Sequence, residues 1–137
     1  MRPVLFLLFL WLGSANIATA QSKMPEDIIA DIYKILNSES PEIVTSKYLS
    51  EIADDKESQN MFNSQFRSLH DNLEKGEGFD IIEKTRYSDN LIAYNCIFRY
   101  RIPIYFRFLF YKYEGQWKIT YFYFSDKVAK NLGLDTD

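Results

Sequence analysis

The 137-residue chain is 47% hydrophobic and 26% charged, which argues against an intrinsically disordered protein. Its single cysteine excludes an internal disulfide framework and a cysteine-rich zinc site, and its single histidine leaves little for a histidine-based metal site. We therefore expect neither a metal ion nor a cofactor. Aromatic residues are unusually frequent, with 11 Phe and 10 Tyr.

The N-terminus has the pattern of an export signal. Arg2 precedes the apolar run Val4–Leu12, and small residues, Ala18 and Ala20, occupy positions −3 and −1 of a cleavage site. Nine apolar residues are too few for a membrane span, which needs about 20. We predict that residues 1–20 are a cleaved signal peptide and that the product is periplasmic, with the cell exterior as the alternative. No later run predicts a membrane span.

The predicted mature chain carries 15 basic and 19 acidic side chains, a net charge of −4. The two halves differ, because residues 21–90 have a net charge of −7 and residues 91–137 a net charge of +3. An overall acidic balance disfavours nucleic acid as a partner.

Three helices are predicted in the first half. Pro25 suits a first helical position, and apolar residues then recur with the helical period up to Leu36. A short second helix begins by the same logic at Pro41. A third is expected over about residues 57–75, with Gly76 as its C-terminal stop.

From Phe79 onward the apolar residues follow the two-residue period of strands. We predict four of them, at about residues 79–87, 91–102, 104–113 and 117–124. Residues 91–113 as one strand would span roughly 76 Å, too long for this domain, so the chain must reverse near Pro103. Residues 102–104 contain no Gly or Asn, which a tight two-residue hairpin turn prefers, so we expect a wide connection or a bulge there. The prediction is a single α+β domain over 21–126, an antiparallel meander, with a tail at 127–137.

Both faces of the predicted sheet are apolar, whereas a sheet with one wet face should alternate apolar and polar residues. The face rich in phenylalanine suits the helices. The second face combines Tyr, Trp and Leu with Arg, a composition enriched at protein interfaces. This composition is compatible with three roles for the second face: a partly solvated surface, a contact for self-association, or a platform for a ligand or partner. Its residues are Arg99, Arg101, Arg107, Leu109, Tyr111, Trp117 and Tyr121.

The order of elements and the final hairpin, Phe110–Asp126 with Gly115-Gln116-Trp117-Lys118-Ile119 at its turn, carry a family resemblance. The chain resembles small exported bacterial members of the nuclear transport factor 2-like (SnoaL-like, cystatin-like cone) superfamily. The resemblance implies a strongly curved sheet wrapped round the helices, a conical pocket, and dimerisation through the outer sheet face. The superfamily contains isomerases, dehydratases and members without known activity, so the resemblance does not specify chemistry.

If the cone encloses a pocket, aromatic side chains from the third helix and the sheet are expected to line it, which would suit a small hydrophobic ligand. The alternative is that these rings fill the core. The expected lining residues are Phe62, Phe66, Tyr94, Phe98, Phe106 and Phe108.

Catalytic residues are hard to find in the sequence. His70 and Asp31 are weak candidates for an acid or base, and neither fits a catalytic motif. A pair between His70 and Asp71 is disfavoured because adjacent helix positions point about 100° apart. Cys96, inside a strand pattern, is expected to be a buried small hydrophobe.

The leading hypothesis is therefore an exported, non-enzymatic binding or interaction domain that forms a homodimer. An isomerase or dehydratase is the second hypothesis and requires an ionisable side chain at the pocket floor. A third is a periplasmic immunity or inhibitor protein whose acidic helical half binds a basic partner.

Overall fold

The computed structural model describes residues 22–134, so the predicted signal peptide at 1–20 lies outside the described residues. Three N-terminal helices precede a four-stranded antiparallel sheet, which confirms the α+β prediction. The elements are α1 Pro25–Leu36, α2 Ile43–Tyr48, α3 Lys56–Asn72, β1 Phe79–Ser88, β2 Leu91–Arg99, β3 Pro103–Tyr113, β4 Gln116–Ser125 and α4 Val128–Asn131.

Local sequence signals explain α1 well and α3 less well. Pro25 occupies the first turn of α1, where its missing N–H costs nothing, and Ile28, Ile29 and Ile32 after it are buried. Helix α3 begins after Asp55, whose carboxylate accepts a hydrogen bond from the Ser58 N–H at 2.6 Å. It ends at Asn72, four residues before the predicted stop at Gly76, because Leu73 already adopts extended backbone geometry.

Gly76 instead connects α1 to the start of the sheet. Its N–H donates to the Asn37 side chain at 2.8 Å, and an added Cβ would lie 2.7 Å from the Tyr33 hydroxyl oxygen. The glycine is therefore needed for a close approach between segments rather than for ending a helix.

The strands pair in chain order, β1-β2-β3-β4, and the sheet is curved. Residues Tyr100–Ile102 connect β2 to β3, and Arg99 pairs with Pro103, so the wide connection predicted before Pro103 is present. The predicted second strand, 91–102, included Arg101. Because β2 ends at Arg99, Arg101 lies instead in this connection.

A β-bulge in β4 changes which residues face the helices. Phe110 pairs with Ile119 while Leu109 pairs with Tyr121, which leaves Thr120 as an extra residue. Beyond the bulge the alternation reverses, so that Phe122 and Phe124 face inward with Ile119 and Trp117, and all four pack in or against the hydrophobic core. The predicted assignment of Trp117 to the outer face is therefore wrong.

One hydrophobic core lies between the helices and the inner face of the sheet. Stacked phenylalanine rings form its centre, and isoleucines of α1 close it from the helical side. In the predicted tail, α4 forms one turn of helix and contacts β3. Within residues 22–134 we find no helix that combines the length and the apolar character needed to cross a bilayer.

Candidate functional site

The six residues expected to line an apolar pocket fill the core instead. Five of them are at most 1% exposed, and Phe62, the sixth, packs against the cluster from its edge. The Phe98 and Phe106 rings stack with centroids 3.9 Å apart, and the Phe106 and Phe108 rings follow at 6.1 Å. The strand period aligns the rings along β3, and the pairing of β2 with β3 brings Phe98 beside them, so that their volume occupies the space that the predicted pocket would need.

Cys96 lies in the same core and is fully buried, which confirms the prediction made for it. Burial raises the pKa of its thiol to about 12, so the side chain remains a neutral thiol at physiological pH. It behaves as a small apolar residue.

His70 and Asp71 do contact each other, contrary to the prediction. Their side chains meet at 3.0 Å between Nδ1 and Oδ1 near the C-terminal end of α3. Neighbouring helix positions can make this contact because the two side chains bend toward each other at the surface, where both are partly exposed. His70 lies at the helix end and does not reach the aromatic centre of the core.

Asp31 belongs to a polar network that sequence reasoning missed. Its carboxylate accepts hydrogen bonds from the Tyr48 hydroxyl and, at 2.7 Å, from Lys47, while Lys23 lies 3.6 Å away. Burial alone would raise the pKa of Asp31, but the hydrogen bonds from Lys47 and Tyr48 outweigh it and hold the pKa below its ordinary value. Burial, together with the bond to Asp31, raises the pKa of Tyr48 to about 12.

This network predicts an acid-sensitive contribution to stability. Because the pKa of Asp31 is lowered by folding, its contribution is complete above the ordinary value of 3.8 and is lost as the pH falls through the lower, folded value. We expect Asp31→Asn to lower the free energy of unfolding by about 1 kcal/mol at pH 6 and by progressively less below pH 4. Urea unfolding at a series of pH values measures this difference. Asp89→Asn, at a carboxylate that is 99% exposed, is the control and should show no such trend.

A second network joins the start of α1 to the sheet. One carboxylate oxygen of Glu26 accepts hydrogen bonds from the Tyr94 hydroxyl at 2.6 Å and from Lys84 at 2.8 Å. Burial opposes ionisation of Glu26, yet these two bonds hold its pKa below the usual range, and burial raises the pKa of Tyr94. The network satisfies the hydroxyl of a tyrosine that is otherwise buried among apolar side chains.

The side of the sheet that faces away from the helices brings together four of the seven predicted interface residues. They are Arg107, Leu109, Tyr111 and Tyr121. Arg99 lies at the far end of β2, where its guanidinium is 3.7 Å from Asp80. Arg101, in the connection, and Trp117, on the inner side, are not part of this group.

A shallow cleft of about 370 Å³ lies on this side of the sheet, and we call the residues that line it the outer face. They are Tyr87, Leu91, Ala93, Arg107, Leu109 and Tyr121. At the other end of the same side, Tyr105 is 3% exposed and its hydroxyl donates to Asn95 at 2.9 Å. The Tyr105 ring also lies 6.4 Å from the ring of Tyr123 on β4. Within residues 22–134, Tyr105 is therefore buried at one end of this side, whereas Tyr87 and Tyr121 on the outer face stay about half exposed.

The described part of the chain offers few groupings of side chains that could bind a metal ion or catalyse a reaction. Among residues 22–134, no group of three or more His, Cys, Asp or Glu side chains could hold a metal ion. Comparison with protein-family models, with curated proteins and with solved structures found no match for this chain.

Proposed function

We propose that the protein is an exported, non-enzymatic interaction domain that pairs with a second copy of itself through the outer face of its sheet. The observation that carries this proposal is the outer face itself, where, within residues 22–134, the tyrosine side chains are exposed and the leucine side chains half-buried around Arg107. Tyr121 is 48% exposed and Tyr87 is 59% exposed. Large aromatic side chains with arginine, grouped in one exposed patch, are typical of interaction sites.

The charges on this side of the sheet favour a second copy as the partner. In an interface with two-fold symmetry, the same patch of both copies must be complementary to itself. The side carries a basic residue, Arg107, on β3 and an acidic residue, Glu83, on β1, whereas Asp80 already pairs with Arg99 of the same chain. A two-fold arrangement can therefore place Arg107 of one copy against Glu83 of the other.

The rival functions have less support in the geometry. A ligand pocket lined by the six aromatic residues would need space that their own rings occupy. An isomerase or dehydratase needs an ionisable group at a pocket floor, whereas Asp31 and His70 lie at the helical surface. A basic protein partner stays a prediction, but Glu26, Asp31 and Glu42 each already bind a basic side chain of this chain.

Sedimentation velocity tests the proposal. We expect the unsubstituted protein to form dimers with a Kd in the micromolar range or tighter, equivalent to about −8 kcal/mol. Leu109→Asp should weaken this association at least about 100-fold, because it buries an unpaired carboxylate in the centre of the interface. Arg107→Glu, at an exposed position, is a second variant that should fold normally and dissociate.

Met61→Asp is the matched control, because Met61 is an exposed apolar residue on α3, at 49% exposure, and the substitution adds the same charge. It should leave the dimer intact. A protein that is monomeric throughout, or a Met61→Asp variant that dissociates as readily as Leu109→Asp, would rule out the outer face as the interface.

A further inference from the structure

A cleft of about 480 Å³ opens where the beginning of α1, the end of α2 and the free edge of β4 meet. Apolar and aromatic side chains form its base, and they include Ile28 and Ile119, both nearly fully buried, and Trp117. The Trp117 ring offers a flat surface there, and Tyr48 adds a second ring. The base is therefore suited to a flat apolar body rather than to a fully polar one.

Three lysines line the walls of the same cleft. Lys23 and Lys47 stand on the side of the helices, and Lys118 stands on the side of β4. A fourth ammonium group, that of Lys112, lies 5.7 Å from the centre of the Trp117 ring. This concentration of positive charge occurs beside helices whose half of the chain, residues 21–90, has a net charge of −7.

Acidic side chains hold these lysines in place without using all of their hydrogen-bond capacity. Lys47 donates to Asp31 at 2.7 Å, and Lys118 donates to Glu51 at 2.9 Å. An ammonium group has three N–H donors, so each of these lysines retains donors for a ligand. Around the cleft, the three wall lysines and Lys112 face three carboxylates, those of Asp31, Glu51 and Glu114, so that one positive charge remains uncompensated.

We propose that this cleft binds a small organic anion, a carboxylate carried on a flat apolar body. The carboxylate would accept hydrogen bonds from Lys47 and Lys118, and the apolar body would rest on Trp117. This site is separate from the outer face and does not depend on dimer formation.

Benzoate is a probe with these two properties, and two related molecules each lack one of them. Benzamide keeps the ring without the charge, and acetate keeps the charge without the ring. We expect benzoate to shift the ¹⁵N–¹H signal of the Trp117 indole saturably, with a Kd of about 1 mM or tighter. Benzamide and acetate should each bind about tenfold more weakly or not at all. Trp117→Phe confirms the assignment of the signal, and Trp11, which lies in the predicted signal peptide, is absent from the predicted mature chain.

Lys47→Gln and Lys118→Gln, one from each wall, should each weaken benzoate binding about tenfold, as the loss of one charge-assisted hydrogen bond predicts. Lys84→Gln is the matched control, since Lys84 also pairs with a carboxylate, at 2.8 Å, and has similar exposure, but lies outside the cleft. It should leave binding unchanged. Thermal unfolding of each variant confirms that it is folded.

Three results would overturn the proposal. The first is the absence of any saturable shift with benzoate. The second is equal binding of benzamide or of acetate, which would remove the role of the charge or of the flat base. The third is an equal loss of binding in Lys84→Gln, which would show that benzoate responds to overall charge and not to this cleft.

Discussion

Replacing Phe106 with alanine is expected to lower the free energy of unfolding by about 4 kcal/mol. Phe106 is fully buried, and its ring stacks on Phe98 and lies 5.4 Å from the ring of Phe124. Removal of the ring loses the favourable free energy of transferring it from water into the core. It also leaves a cavity that the stacked neighbours cannot fill. Because a domain of this size is stable by only about 5–15 kcal/mol, much of the total stability would be lost.

Urea unfolding followed by far-UV circular dichroism measures this loss, with Tyr113→Ala as the control. Tyr113 is also an aromatic residue of β3, but it is 54% exposed, and its removal should cost no more than about 1 kcal/mol. A loss near 1 kcal/mol for Phe106→Ala would mean that the rings line an open pocket. That result would favour the hydrophobic-ligand hypothesis over the filled core.

The second large effect is expected at Gly78, just before β1. Its backbone has φ +125°, a region that residues with a side chain rarely adopt. Its N–H donates to the Tyr33 hydroxyl at 2.7 Å, and its carbonyl accepts from the Arg99 N–H at 2.8 Å, so the backbone cannot easily move. An added Cβ would also displace the end of the flexible Arg99 side chain, at the cost of its hydrogen bond to the Glu77 carbonyl at 3.1 Å. We expect Gly78→Ala to lower the free energy of unfolding by about 2–3 kcal/mol.

Gly115→Ala separates the backbone cost from the steric cost. Gly115 has φ +74°, and an added Cβ would have no neighbour within 4 Å, so only the backbone penalty of about 1 kcal/mol should remain. The double variant Gly78→Ala/Arg99→Ala should recover part of the difference, since it removes the colliding side chain. Equal losses at Gly78 and Gly115 would contradict the close approach of Arg99.

The two largest effects have different origins. Phe106 acts through the volume of a side chain in the core, whereas Gly78 acts through the backbone of a segment that joins α1 to the sheet. The remaining measurements concern surfaces: the acid sensitivity of Asp31, association through the outer face, and anion binding beside Trp117. Each uses a different variant, so the failure of one does not decide another.

Much of the fold could be predicted because its signals are local. The isoleucine period and Pro25 defined α1 to the residue, and the proline at position 103 marked the reversal between β2 and β3. The phenylalanines of β3 were placed on the inner face correctly, since side chains of a regular strand alternate. The missed bulge did leave a trace in the sequence, because the inward aromatic and apolar residues change from odd to even numbers between Ile119 and Phe122.

By itself, then, the sequence determined the order of helices and strands, the reversal at Pro103 and the burial of Cys96, because each depends on the period or the conformational restriction of nearby residues. Tertiary structure decided the rest. The inward position of Trp117 depends on hydrogen bonding between β3 and β4 around Thr120. The filled core depends on the summed volume of rings from separate elements, and the contact of Asp31 with Lys47 and Tyr48 joins two helices. Such distances between remote residues are fixed by packing, which no local pattern encodes.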